Sequence, residues 1–179
     1  LHFQFDAARF TGHSAGSNAS TLEAGVDLFF VISGFVMVIS TGALFGQSGA
    51  PTRFLVRRIT RIVPIYWLTT ALYVAASFVI ASYRDAFNLP LIVASLLFIP
   101  WPRPDGILQP VVGQGWTLQL EMFFYLLFAM TLWLQRGAAV LITTLLLGTA
   151  VTIGAFVPLP PAIAFFTHSI MLEFAFGML

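Results

Sequence analysis

The chain has 179 residues, of which 59% are hydrophobic and only 8% charged, and its formal net charge is +1. A soluble domain carries about 25% charged residues, so these proportions exclude water as the main solvent of the fold, and a mean hydropathy of +0.93 points to a bilayer. Every basic residue is an arginine and cysteine is absent, which leaves no broad basic face for nucleic acid, no disulfide, no thiolate metal site and no phosphate loop ending in lysine.

A spanning helix takes about 20 mostly apolar residues. Leu1–Phe10 reads as the last turns of one helix, and Thr11–Ala24, polar and rich in small residues, as a loop. Val26–Leu44 is the first full span, although Asp27, Ser33 and Gly34 interrupt it. Gln47–Arg61 follows as a loop that carries Arg53, Arg57, Arg58 and Arg61, and arginine bias places that loop on the cytoplasmic side. Ile62–Ala81 forms the next span, with Pro64 tolerated in its first turn. Leu89–Trp101, about 13 residues, is too short to cross upright. If it crosses, Pro102–Gly115 is cytoplasmic and Arg136 lies outside; if it is re-entrant, the later topology inverts. Leu118–Leu134 and Ala138–Phe156 are further spans, and Ile163–Leu179 begins another. The proline-rich pieces Pro100–Pro104 and Pro158–Pro161 read as stiff connectors.

The expected fold is therefore all-α: a polytopic transmembrane bundle of about five to six spans in one integral-membrane domain over residues 1–179. Both ends of the chain fall in apolar sequence, Leu1-His2-Phe3 and Gly177-Met178-Leu179, so the expectation is an internal piece of a longer protein.

Ionisable groups inside apolar runs carry the functional signal, because hydrocarbon penalises an unpaired charge. Asp27 shares a helical face with Phe30 and Gly34. It reads either as a helix N-terminal acid favoured by the dipole or as a site residue. Gly34 admits a second backbone close to that face. Glu121, in WTLQLEMFFYLLFAM, is surrounded by apolar residues, and reads as half of a buried Glu–Arg pair or as a positioning group in a site. Arg57 and Arg61 lie one turn apart, with Arg58 beside them. Such a cluster anchors topology, and it also matches bidentate recognition of phosphate. His168 and Glu173, five apart, fall on different faces and read as structural, while Arg84, Asp85, Arg103 and Asp105 read as solvated loop charges.

The segments GVDLFFVISGF, RRITRIVPIYW and GWTLQLEMFFYLLF closely resemble the membrane-bound acyltransferase family 3, and within it the branch that O-acetylates exopolysaccharides. Trp116, Thr117 and Glu121 match the family's tryptophan, small hydroxyl residue and later glutamate. EFAFGM, around Glu173, is similar to another family segment. The resemblance implies transfer of an acetyl or other short acyl group from acyl-CoA to a hydroxyl of a polysaccharide, in the bacterial cytoplasmic membrane. It implies catalytic roles for His2, Glu121 and Asp27. Arg57, Arg58 and Arg61 would bind donor phosphates, and Trp116 and Ser33 would line the substrate site. The donor acetyl-CoA is a substrate, with no bound cofactor, no metal and no nucleic acid expected.

His2 best matches the family's histidine near the outer end of the first helix, and Asp6 lies on its face one turn on. His13, in the polar run GHSAGSNAS, is the rival. The family's basic residue about ten positions upstream would precede Leu1. Two other readings fit the same residues: a transporter or flippase component of polysaccharide export, since intramembrane acids also suit proton coupling, and a non-catalytic membrane scaffold.

Overall fold

The structure, a computed structural model, describes residues 19–80 and 87–179, with side chains from Ala24 onward. In chain order its helices are α1 (Ala19–Ser40), α2 (Ala50–Val79), α3 (Leu89–Leu96), α4 (Trp116–Thr131), α5 (Arg136–Phe156), α6 (Pro161–Phe166) and α7 (Met171–Met178), with a 3-10 turn over Gly113–Gly115 before α4. Among the described residues there is no strand, only an isolated bridge between Pro102 and Leu108. Ala50–Val79, Arg136–Phe156 and the broken stretch Pro161–Met178 are long and apolar enough to cross a membrane, and Ala24–Ser40 is a shorter apolar helix. The expected helical membrane bundle is the fold class observed.

Several boundaries differ from the expectation: α1 begins at Ala19, inside the expected Thr11–Ala24 loop, and both ends of α4 and the start of α5 fall two to three residues earlier. Three further differences have a local reason. First, α1 ends at Ser40 rather than Leu44, because Thr41–Gly46 form turns and Gly46 takes φ +72. Second, the arginine segment is no loop. Pro51 sits in the first turn of α2, where its fixed φ favours helix and its missing donor costs nothing. The helix then runs for 30 residues, about 45 Å, well beyond the roughly 30 Å hydrocarbon core. Arg53, Arg57, Arg58 and Arg61 thus decorate a helical extension, and Pro64 is interior to the helix rather than in its first turn. There it withdraws the amide that would bond the Thr60 carbonyl. Third, α3 is eight residues long, a rise of about 12 Å, so it cannot cross by itself. It starts where Asn88 Oδ1 accepts from Leu91 N at 2.9 Å, with a proline in its first turn.

Contacts divide the described chain into two regions. One comprises Ala24–Thr60 and Leu120–Leu179; the other contains Arg61–Gln119. They are called here the Glu121 region and the Tyr66 region.

In the Glu121 region, α1 and α7 pack through glycine. A side chain at Gly34 would strike the Phe174 carbonyl, and one at Gly177 the Val31 carbonyl. The two backbones therefore touch where each helix is bare, as small residues allow between membrane helices. Phe30 and Phe174 fill the space beside this contact with centroids 4.7 Å apart, and Phe174 stacks on Phe124 of α4 at 4.2 Å. Thr131 of α4 and Thr143 of α5 share a buried hydrogen bond of 2.9 Å.

The Tyr66 region is built differently. α3 closes with Phe98 at φ +59, while Phe98 N donates to Ser95 O and Ile99 N to Ala94 O. That is the bonding of a glycine-type helix stop carried out by phenylalanine. Ile99–Gly115 then runs without α-helix, pinned by Arg103 N to Ile107 O at 2.8 Å and by Asp105 Oδ1, which accepts from Ile107 N at 2.9 Å. Trp67 Nε1 donates to Leu96 O at 3.0 Å, tying α2 to the end of α3.

Candidate functional site

Glu121 lies on the first turns of α4 and is 7% exposed. Its Oε1 accepts from Tyr125 Oη at 2.5 Å and from Ser33 Oγ at 3.4 Å. Helical geometry explains the first contact: Tyr125 is one turn on, over the same face. The second comes from α1, where Ser33 precedes Gly34 and is carried to α4 by the α1 packing. Both donors converge on a single carboxylate oxygen, which fixes the orientation of the group.

The string continues through Arg58. Its guanidinium carbon stands 5.6 Å from the Phe54 ring centroid and 5.7 Å from that of Tyr125, and Nη2 donates to Ser40 Oγ at 2.8 Å. A guanidinium between two aromatic faces is held electrostatically as well as by packing. Phe54, Phe124, Phe128 and Phe30, each 1% exposed or less, form the apolar wall. Ser33, Glu121, Tyr125, Arg58 and Ser40 thus make one chain of polar groups, buried at the Glu121 end and exposed at Ser40. The low-dielectric wall strengthens the two buried bonds to Glu121.

Of the residues expected to form the site, Ser33, Glu121 and Arg58 come together. Arg57 and Arg61 point to solvent or bilayer surface and are exposed, and Arg53 donates to Ser48 O at 2.6 Å. Trp116 is the first residue of α4 and half-buried, in the Tyr66 region. Thr117 Oγ1 donates to Gln114 O at 3.0 Å and so secures the start of the helix. Asp27 is exposed, one turn before Phe30, and lies within electrostatic range of Glu173 on α7. It stands at the end of the α1–α7 contact rather than with Glu121. His168, expected to be structural, accepts from Ile170 N through Nδ1 at 3.3 Å ahead of α7. Arg103 is more than a solvated charge: it lies over the Phe87 ring at 5.7 Å and reaches Gln109 Oε1 at 3.5 Å. His2, Asp6, His13, Arg84 and Asp85 lie outside the described residues.

Tyr125, Phe54 and Ser40 were not anticipated. Tyr125 carries a readable signal, a hydroxyl one turn after a buried acid. Ser40 and Phe54 carry none, because their role depends on where Arg58 folds.

A family model described as "Acyltransferase domain" matches residues 1–179. The chain is also similar to the exopolysaccharide production protein ExoZ of Rhizobium meliloti (strain 1021), with 38% identity over 177 residues, covering 98% of this chain and 54% of that protein. The chain thus spans about half the length of that relative. No solved structure matches it.

Proposed function

This chain belongs to the acyltransferase domain family, and we propose that its full-length protein moves an acetyl or other short acyl group from acyl-CoA to a hydroxyl of a cell-surface or exported polysaccharide. The setting proposed is a multi-pass protein of the bacterial cytoplasmic membrane. The observation that carries the reading is the buried Glu121 carboxylate, oriented by Ser33 and Tyr125 at the edge of a cationic and aromatic string. A scaffold needs no oriented acid in an apolar wall, since the group is costly there. The printed name of the relative, a protein of exopolysaccharide production, supports the acceptor class.

In the proposed reaction the acceptor oxygen attacks the thioester carbonyl carbon while His2 takes the hydroxyl proton. The carbon–sulfur bond then breaks, and the proton passes to the departing thiolate. An imidazole with a pKa near 6.5 suits both transfers at neutral pH. Glu121, held by Tyr125 and Ser33, positions the reacting groups, with Asp27 and Trp116 as further proposed site residues. Arg57 and Arg61, exposed one turn apart on α2, are the better placed donor-phosphate ligands, because Arg58 already serves Ser40 and two rings.

The experiment expresses the full-length protein, and its Glu121→Gln and His2→Ala variants, in cells lacking the native one. Ester-linked acetyl is then quantified on purified polysaccharide. The expected result is acetate with the parent and a loss of about a hundredfold or more in each variant, the scale of removing a positioned acid–base group. Polymer changed in amount or location without any acetate would instead favour the export reading.

A further inference from the structure

Among the described residues, three buried side-chain polar atoms have no hydrogen-bond partner: Tyr66 Oη, Gln119 Oε1 and Thr144 Oγ1. Native interiors leave few such groups, because each loses its water without replacement. Tyr66 and Gln119 stand out, being 4% and 1% exposed and in the same region.

Packing brings them into one neighbourhood. Gln119 follows Gly115 by one helical turn on the same face. A Cβ on Gly115 would meet Tyr66 Cε2 at 2.8 Å and Oη at 3.1 Å, so the phenol lies directly against the start of α4. Gln119 Nε2 donates to Ile99 O at 3.1 Å, and Phe98, the residue before, lays its ring on Tyr66 with centroids 4.8 Å apart. The strained stop of α3 therefore contacts both side chains at once. The Ile99 carbonyl can only accept, which fixes the glutamine amide with Oε1 turned away from it. Thr70 and Ser95 neighbour the phenol, but neither hydroxyl meets Oη in hydrogen-bonding geometry. Thr70 donates to Tyr66 O, and Ser95 donates to Leu91 O while accepting from Val111 N.

One orphan is a donor and the other an acceptor, and neither is charged at neutral pH. A phosphate would use only the donor and a cation only the acceptor, whereas a secondary amide offers the complement of each. We propose that Tyr66 and Gln119 form a binding subsite for a secondary amide of an elongated ligand, Tyr66 Oη donating to its carbonyl oxygen and Gln119 Oε1 accepting its N–H. Resting on the acyl-CoA reading above, the subsite takes the amide-bearing pantetheine arm of the donor. A single water supplies the same donor and acceptor, and the test separates the two.

The full-length protein in lipid nanodiscs is titrated calorimetrically with pantetheine alone. Wild type is expected to bind, and Tyr66→Phe and Gln119→Met each to bind at least about tenfold more weakly. Without pantetheine, the Tm of Tyr66→Phe stays level or rises, because that change deletes only an unpaired hydroxyl. Gln119→Met also strips Ile99 O of its donor, so its Tm falls modestly and Tyr66→Phe carries the clean comparison. Absence of wild-type binding, or affinity unchanged in Tyr66→Phe, overturns the subsite. A lowered Tm in Tyr66→Phe with unchanged affinity identifies a structural water and overturns it equally. The titration needs no acyl transfer: a protein that binds pantetheine in this pattern yet acetylates no polymer removes the proposed function and leaves the subsite standing.

Discussion

The two regions solve the problem of polar groups in an apolar protein in opposite ways. The Glu121 region holds a carboxylate and a guanidinium, and surrounds them with donors, acceptors and aromatic faces: Ser33 and Tyr125 on the acid, Ser40, Phe54 and Tyr125 around the cation. The Tyr66 region buries neutral phenol, hydroxyl and amide groups among irregular backbone, and leaves two polar atoms open. Charge in a low dielectric demands a complete shell, whereas a neutral dipole can be left half-satisfied at a cost a fold survives. The difference separates the preorganised surroundings of charged groups from the open surroundings of neutral ones.

The sharpest way to break that contrast is to place a charge where the shell is absent. Gln119→Glu sets a carboxylate against the Ile99 carbonyl, acceptor against acceptor, in a position 1% exposed. The expected cost is about 3–5 kcal/mol, comparable to an uncompensated buried charge. That is a large share of a domain's stability, and it is read as loss of monodisperse protein on size-exclusion chromatography in detergent. The reciprocal change, Glu121→Gln, removes a charge from a shell built for one and leaves the protein folded. Equal yields for Gln119→Glu and wild type would show that the Tyr66 region tolerates charge, and the contrast would go.

A smaller effect separates the arginines. Arg58→Lys keeps the charge but loses the planar group between Phe54 and Tyr125 and the directed bond to Ser40, a loss of about 1–2 kcal/mol. Arg57→Lys, on an exposed face, changes stability by less than about 0.5 kcal/mol. Thermal unfolding of both variants side by side measures the difference. Should the two fall together, the aromatic clamp contributes nothing and Arg58 belongs with the topology-setting arginines.

What was legible in the sequence follows the same division. Hydropathy marks the helices because bilayer crossing constrains every residue of a span, and a lone acid such as Glu121 is conspicuous in that background. Gly34 was readable for the same reason: its missing side chain has a purpose only if a backbone comes close, and the Phe174 carbonyl does. Arg58 was flagged with its neighbours, but not its turn toward Ser40, since a long side chain chooses among partners that only folding supplies. The helical arginine segment was misread as a loop because charge outweighed Pro51, a helix-start signal. The Tyr66 region left the faintest trace. Its features rest on backbone conformation at Phe98 and on the end of α3, and no periodicity encodes a helix stop made by phenylalanine.

That stop offers the finest test. A residue other than glycine at φ +59 bears a backbone penalty of about 1–2 kcal/mol, here held by the ring of Phe98 on Tyr66. Phe98→Ala removes the ring and keeps the penalty, so it is expected to destabilise by about 2 kcal/mol, the loss of a half-buried aromatic contact. Phe98→Gly removes both, and the relieved backbone returns about 1 kcal/mol of that loss. Glycine should therefore be the more stable of the two replacements by about 1 kcal/mol, the reverse of their order within a helix. Chemical unfolding of the two variants in the same detergent decides it. Alanine equal to or above glycine would mean that the chain leaves the left-handed conformation once the ring is gone. The stop would then be imposed by the Tyr66 contact rather than by the end of α3, and the irregular backbone of this region would be a consequence of its buried phenol.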